Sequence, residues 1–257
     1  SAALDLEKMK KVIRKQGSIL ALKVVICFVF SFLYFKFFGM NGIFGISAIA
    51  FTATICSLNP SLYLALVSDY GDPGDEGAFG LTGLLCVPAF PMLVYSVSKV
   101  SGVDWMPVVS VLIPIVSGIV IGNLDKELGK FFAGAVPILT PFMGWAFGAG
   151  INLIAAFKAG LEGIILTIIF YVVSFPLLWL FETKVLKESG ITTFAISSIA
   201  GLSVSVPSLI AAADPSVETI ANGAVAQIAL GVVITSVITP YLIGVYAKNK
   251  GIQKRVK

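Results

Sequence analysis

Residues 46–62 read ISAIAFTATICSLNPSL, and residues 196–209 read ISSIAGLSVSVPSL. Both stretches open on an Ile-Ser-x-Ile-Ala motif and end on Pro-Ser-Leu. The opening motif recurs at an offset of 150 residues and the closing motif at an offset of 147. Because a pattern that returns at a nearly constant spacing indicates an internal repeat, this pair guides the interpretation of the rest of the chain.

Two further matches extend the repeat in the same order. Glu76-Gly-Ala-Phe returns as Asn222-Gly-Ala-Val at an offset of 146, and Leu4-Asp-Leu returns as Ile151-Asn-Leu at an offset of 147. Coincidence among apolar segments is the alternative, but four ordered matches favour a gene duplication with small insertions.

The composition indicates a membrane protein. Of the 257 residues, 57% are hydrophobic and 12% are charged, with a mean hydropathy of +0.97. Soluble proteins carry about 25% charged residues, so the expected partner of this surface is the lipid bilayer, and nucleic-acid binding is not expected. A helix needs about 20 apolar residues to cross a bilayer. Eight segments qualify as spans: 18–37, 43–68, 76–98, 105–122, 131–150, 161–181, 192–212 and 219–247.

Lysine and arginine residues predict the orientation of these spans, because they accumulate in cytoplasmic loops. If the first visible residue is cytoplasmic, 14 of the 18 basic residues fall on the cytoplasmic side, and only Lys36, Lys99 and Lys158 fall outside. The C-terminus is then cytoplasmic too. Lys23 lies inside the first span, near its inner end, where its side chain is expected to snorkel to the interface.

The repeat also predicts how the two halves are arranged. We expect residues 1–100 to be the remainder of a first repeat, with three helices, and residues 101–257 to be a second repeat with five helices. The second copy has two spans, 105–122 and 131–150, for which the first copy shows no counterpart. Restoring them gives two halves of five helices. Since five is odd, the halves enter the membrane in opposite directions, as in the inverted repeats of secondary transporters.

Pro60 and Pro207 occupy equivalent places inside apolar spans. A proline removes a backbone donor, and in lipid the freed groups must be satisfied by protein, water or a ligand. An ordinary proline kink is the alternative for each alone, but the matched pair favours two broken helices with a charged guest between them. The substrate-binding candidates are polar residues and prolines at these breaks, together with Asn222 on the last span, which is the counterpart of Glu76 in the repeat. The candidates are Ser57, Asn59, Pro60, Ser61, Ser205, Pro207, Ser208 and Asn222.

Ionisable and amide residues near the spans are candidates for ion coupling. Glu76, at the mouth of span 76–98, is the candidate proton carrier, with a solvated loop acid as the alternative. Gln227 and Asn152 are further candidates, although a contact between helices or a helix cap would also explain them. The chain has no histidine and three cysteines within apolar runs, so we expect no metal site, no cofactor and no enzyme activity.

Several blocks resemble the 2-keto-3-deoxygluconate permease family. They are Pro60-Ser-Leu-Tyr-Leu-Ala-Leu with Asp69-Tyr-Gly and Glu76-Gly-Ala-Phe, Gly122-Asn-Leu-Asp with Phe131-Phe132, Pro137-Ile-Leu-Thr-Pro-Phe-Met-Gly-Trp-Ala-Phe-Gly with Ile151-Asn-Leu, Pro240-Tyr-Leu, and the basic tail from Lys248. The resemblance covers essentially the whole chain. The family pattern begins two helices earlier, and it often has a Gly-Gly pair where this chain has Pro60-Ser61.

The resemblance implies import of 2-keto-3-deoxygluconate, a sugar-acid anion, in symport with protons across the bacterial inner membrane. It also implies two crossed, broken helices at the centre of an all-helical fold, as in the wider superfamily that includes the bile-acid sodium symporters. Two alternatives stay open: a sodium-coupled carrier of another organic anion, and a channel or non-transporting membrane subunit. The oligomeric state is not predicted.

Overall fold

The computed structural model describes residues 6–72, 74–99 and 159–255, together with scattered positions between 109 and 154, and it describes side chains from Arg14 onward. The described residues form helices and no strand. In chain order the helices are α1 (Leu6–Phe38), α2 (Ala48–Ile55), α3 (Pro60–Tyr70), α4 (Phe79–Cys86), α5 (Ala89–Ser98), α6 (Gly160–Leu180), α7 (Ile191–Ile196), α8 (Val206–Ala213) and α9 (Glu218–Asn249).

Five helical segments of the described chain are long and apolar enough to cross a membrane. They are Arg14–Phe38, Ala48–Tyr70, Gly160–Val185, Ile191–Ala213 and Pro215–Asn249. Large apolar side chains such as Phe37, Val172 and Val237 remain exposed on them, which suits a surface in contact with lipid. The prediction of a multi-span helical protein is therefore confirmed. The predicted spans 105–122 and 131–150 lie where only scattered positions are described.

The predicted single span 76–98 has a different form. A 3₁₀ turn at Asp75–Ala78 leads into α4, and α5 follows at an angle of 50°. Pro88 lies between α4 and α5, and Val87 before it has an extended backbone. A proline disfavours the helical conformation in the residue that precedes it and cannot donate a backbone hydrogen bond, so the helix ends and restarts here.

Both segments that were predicted to be interrupted consist of two helices. The first is α2 and α3, separated by Cys56–Asn59, and the second is α7 and α8, separated by residues 197–205, which include a 3₁₀ turn at Gly201–Ser205. By contrast, α6 and α9 run through Pro176 and Pro240 without ending. Pro60 and Pro207 lie instead in the first turn of α3 and α8, where the absent N–H would have no helical partner anyway.

The turn before α2 depends on one aromatic side chain. The ring of Tyr34 stacks on Phe51 at 4.1 Å between centroids, and its hydroxyl donates to the Ile46 carbonyl at 2.6 Å. Gly42 has a φ of +66°, and a Cβ at this position would overlap the Ile46 carbonyl. The tight return from α1 into α2 therefore requires glycine at this position.

Ion pairs connect segments of the chain at both ends of the helices. At one end, Lys15 contacts Asp72, Asp75 and Glu188, and Arg255 contacts Glu76. We call this the Lys15 end.

At the other end, which we call the Lys99 end, Lys99 contacts Asp214 at 2.8 Å. The Lys99 ammonium and the Ser216 hydroxyl lower the pKa of Asp214 to about 2, so this carboxylate stays ionised near neutral pH. Stability from the pair is present above the unfolded pKa near 4 and is lost only as the pH falls toward 2.

The two broken segments run in opposite directions between these ends. The segment formed by α2 and α3 finishes near the Lys15 end, where the Asp69 carbonyl accepts from the Arg255 backbone N–H at 2.8 Å. The segment formed by α7 and α8 begins there, since Thr192 accepts from Gln16, and it finishes at Asp214. The predicted inverted arrangement of the repeats requires this opposite direction.

A buried carboxylate holds the start of α7. Glu182 is 0% exposed and accepts from the backbone N–H groups of Gly190, Thr192 and Thr193 and from the Thr193 hydroxyl, at 2.6–3.1 Å. Because each carboxylate oxygen accepts twice, the charge is well compensated by donors.

We expect Glu182→Gln to lower the free energy of unfolding by about 3 kcal/mol, because the amide keeps one acceptor oxygen and turns an NH₂ group toward buried donors. The melting temperature of the purified protein in detergent measures this. The control is Glu188→Gln, because the Glu188 side chain is 23% exposed and, within the described part of the chain, forms its ion pair with Lys15. An equal effect from both substitutions would contradict this account of Glu182.

Candidate functional site

The two helix breaks meet at Ser57. Its hydroxyl oxygen accepts from the backbone N–H of Ala200 at 2.7 Å and lies 2.7 Å from the Ser203 hydroxyl, which donates to it. Ser57 and Ser203 are both buried. One hydroxyl from the first break thus satisfies backbone freed at the second, and the two broken segments are joined at this point. We call Cys56–Asn59 and residues 197–205 together the break site.

Helix α9 supplies further hydroxyl groups to the break site. Thr235 accepts from the Ile199 backbone N–H at 3.0 Å, and Thr239 donates to the Ser197 carbonyl at 2.8 Å. The Tyr171 hydroxyl of α6 lies 2.7 Å from Thr239. The second break is therefore surrounded by a short chain of hydroxyl groups from neighbouring helices.

These contacts correct one expectation. The sequence suggested that only a charged guest would satisfy the backbone at the breaks, but protein hydroxyl groups satisfy several of those backbone groups. Asn59 likewise caps α3, because its side-chain oxygen accepts from the Leu62 N–H at 3.1 Å. Ser205 turns back to donate to the Leu202 carbonyl, and Pro207 is buried in the first turn of α8. Hydroxyl groups can exchange one partner for another, so a polar ligand can replace these contacts.

Two polar atoms beside the first break have weak partners or none. The Thr54 hydroxyl oxygen is buried and has no hydrogen-bond partner among the described residues. The Cys27 thiol of α1 donates at 3.3 Å to the carbonyl of Ile55, the last residue of α2. This side of the break therefore retains capacity for hydrogen bonding.

Lys23 is the residue that the sequence analysis misjudged. Its side chain is 1% exposed, its Nζ donates to the Ser174 hydroxyl of α6 at 3.2 Å, and it lies 4.9 Å from the centre of the Phe170 ring. The expectation that it snorkels to the interface is wrong, because α6 covers that face of α1. The available signal was its position inside the predicted apolar span 18–37, where a charge is costly.

The other predicted site residues lie away from the break site or in exposed positions. Ser61 and Ser208 are exposed on the first turns of α3 and α8, and Asn222 is exposed near the start of α9. Asn152 lies outside the described residues. Of the predicted residues, Ser57 contacts the other break directly. Asn59 and Ser205 lie within the breaks, and Pro60 and Pro207 follow them in the first turns of α3 and α8.

Glu76 and Gln227 lie at opposite ends of the helices. Glu76 is 33% exposed in the turn before α4 and accepts from Arg255 at 3.0 Å, at the Lys15 end. This placement favours the alternative of a solvated loop acid. Gln227 is buried in α9, where its NH₂ group donates to the Gly45 carbonyl at 2.9 Å and to Glu162 at 2.7 Å, while its amide oxygen is unpaired among the described atoms.

The comparisons with known proteins agree with this architecture. The family model for 2-keto-3-deoxygluconate permease matches residues 1–252. The chain is 35% identical over 216 residues to 2-keto-3-deoxygluconate permease 1 of Salmonella typhimurium, and the matched region covers 84% of this chain and 68% of the relative. It is 31% identical over 255 residues to the Enterobacter sp. permease, covering 97% and 77%. With the Bacillus subtilis permease it shares 30% identity over 211 residues, covering 82% and 64%.

No solved structure matches the chain. The family match spans both broken segments and every described helix, so it covers the break site itself. The chain belongs to the 2-keto-3-deoxygluconate permease family.

Proposed function

We propose that the chain is a secondary active transporter that imports 2-keto-3-deoxygluconate by proton symport with alternating access. The observation that carries the proposal is the contact between two broken helices at Ser57, Ala200 and Ser203, in a chain whose relatives are named as permeases for this sugar acid. As a member of a permease family, the protein is not an enzyme.

The geometry of the break site supports the proposal that a polar ligand binds there, at the centre of the membrane. Half-helices that start or end within a membrane present backbone donors and acceptors that a continuous helix keeps for itself. Here those groups face hydroxyl side chains of Ser57, Thr235 and Thr239, and 2-keto-3-deoxygluconate carries a carboxylate, a keto group and hydroxyl groups. A ligand with these groups can replace hydrogen bonds within the break site by hydrogen bonds of its own.

The opposite direction of the two broken segments supports the inverted repeat. In that arrangement α2 is the counterpart of α7 and α3 the counterpart of α8, and the two segments cross. Alternating access then consists of movement of the two broken segments against the remaining helices, opening first one end and then the other. The ion pairs of the Lys15 end and the pair Lys99–Asp214 would break in turn.

The bacterial inner membrane is the proposed location, with the Lys15 end and both visible termini in the cytoplasm. The distribution of lysine and arginine supports this orientation. The coupling ion is proposed to be a proton, and sodium is the alternative that the uptake experiment distinguishes.

We expect Ser57→Ala to weaken substrate binding about tenfold, because the Ser57 hydroxyl is no longer present to form a hydrogen bond with the substrate. Substrate-dependent melting shifts and initial uptake rates measure the effect. The control is Ser236→Ala, since Ser236 is exposed on α9 and its hydroxyl donates only to its own helix. Unchanged affinity in Ser57→Ala would remove the break site from substrate recognition.

If Glu76 carries the coupled proton, Glu76→Gln abolishes uptake driven by a proton gradient in liposomes but leaves substrate counterflow intact. The matched control is Asp69→Asn, because Asp69 also accepts an ion pair from the C-terminal tail at the same end, from Lys254 at 2.9 Å. Normal proton-driven uptake in the Glu76 variant would remove this residue from the mechanism.

The same liposomes test the coupling ion directly. Uptake of 2-keto-3-deoxygluconate is expected with an inward proton gradient in the absence of sodium, because the proposed carrier group binds a proton. A sodium gradient without a proton gradient is the control, and uptake under that condition alone would establish the sodium-coupled alternative. Conduction that does not saturate and shows no counterflow would indicate a channel instead.

A further inference from the structure

Lys23 and Lys15 are the two buried lysines among the described side chains, and they differ in their partners. Lys15 contacts three carboxylates at 2.9–3.3 Å. Lys23 contacts none of the described carboxylates within ion-pair distance and has Ser174 and Phe170 as its partners. The Lys15 ammonium is therefore neutralised within the protein, whereas the Lys23 ammonium has no counter-charge among the residues that the structure describes.

The hydrogen bonding of Lys23 is incomplete as well. A lysine ammonium has three N–H donors, and the structure gives it one hydrogen bond, to the Ser174 hydroxyl at 3.2 Å. The Phe170 ring offers a favourable face to the charge but no lone pair. Burial of a charge without an opposite charge and a full set of hydrogen bonds is costly in protein and more so within a membrane.

Lys23 lies beside the break site. It precedes Cys27 by four residues, so the two side chains share one face of α1. Cys27 contacts the carbonyl of Ile55, and the first break begins at the next residue, Cys56. Lys23 and the interrupted helix are therefore neighbours.

We propose that Lys23 is the counter-charge for the carboxylate of the transported sugar acid, an assignment that rests on the proposed function of the protein. In the structure, Ser174 and Phe170 hold the ammonium. When the site opens, the carboxylate replaces the Ser174 hydroxyl and gives Lys23 both an opposite charge and additional acceptors. Neutral sugars are excluded, since they would leave the ammonium without a counter-ion.

The test compares Lys23→Met with Lys36→Met, because Lys36 is an exposed lysine near the end of the same helix. The probes are 2-keto-3-deoxygluconate and its uncharged counterpart with an aldehyde at C1, and binding to the purified protein is measured by calorimetry. We expect Lys23→Met to weaken binding of the acid about 10- to 100-fold, the loss of a charge-assisted hydrogen bond, with little change for the aldehyde. Lys36→Met is expected to bind as the unmodified protein does.

A second pair of variants tests the same proposal without removing the lysine. Ser174→Asp places a carboxylate beside Nζ, where it competes with the substrate, and Ser174→Asn is the uncharged control of similar size. We expect the aspartate variant to lose binding of the acid far more than the asparagine variant, with its melting temperature maintained by the new ion pair.

The outcomes separate this proposal from the proposed function. If the unmodified protein binds the acid and both Lys23→Met and Ser174→Asp bind it equally well, Lys23 is not its counter-charge, and the permease function stands. If the unmodified protein binds neither probe, the proposed function fails and this assignment fails with it. A fall in affinity for the aldehyde as large as that for the acid would show a packing role for Lys23 and overturn the proposal.

Discussion

The hydrogen bonds between Ser57 and the Ala200–Ser203 turn are the contact on which the architecture depends. Lipid offers no hydrogen-bond partners, so a helix can stop halfway through a membrane only if other parts of the protein satisfy its ends. The two breaks lie against each other, and the second also lies against hydroxyl groups of α9. Because the first break supplies a partner for backbone of the second, the two breaks support each other as a pair.

Four prolines, Pro60, Pro176, Pro207 and Pro240, show that a proline within a span does not always end the helix. Pro176 and Pro240 lie within continuous helices, whereas Pro60 and Pro207 open new ones. The difference lies in the preceding residues, because Asn59 caps α3 and a 3₁₀ turn precedes α8. A proline inside a span removes one backbone bond, but a helix start needs its own donors satisfied as well.

The features that depend on composition and spacing were predicted from the sequence. The environments of individual side chains were not, because they depend on contacts with residues that are distant in the sequence. Hydropathy located the spans that the structure describes, and the repeat located both interruptions. The environment of Lys23 was not predictable, because Ser174 follows it by 151 residues and no local pattern states which face of α1 meets α6. The placement of Glu76 depended in the same way on Arg255 in the C-terminal tail.

One short helix links the polar network at the Lys15 end to the break site. Gln16 donates to both Asp75 and Thr192, so it ties the start of α7 to α1 and to the turn before α4. The six residues of α7 are all buried, and the second break begins at the next residue, Ser197. A helix of that length spans about 9 Å. Under the proposed alternating access, a rigid movement of α7 on release of the contacts at Thr192 would displace Ser197 and the hydrogen bonds of the break. Opening of one end and rearrangement of the centre would then be coupled through α7.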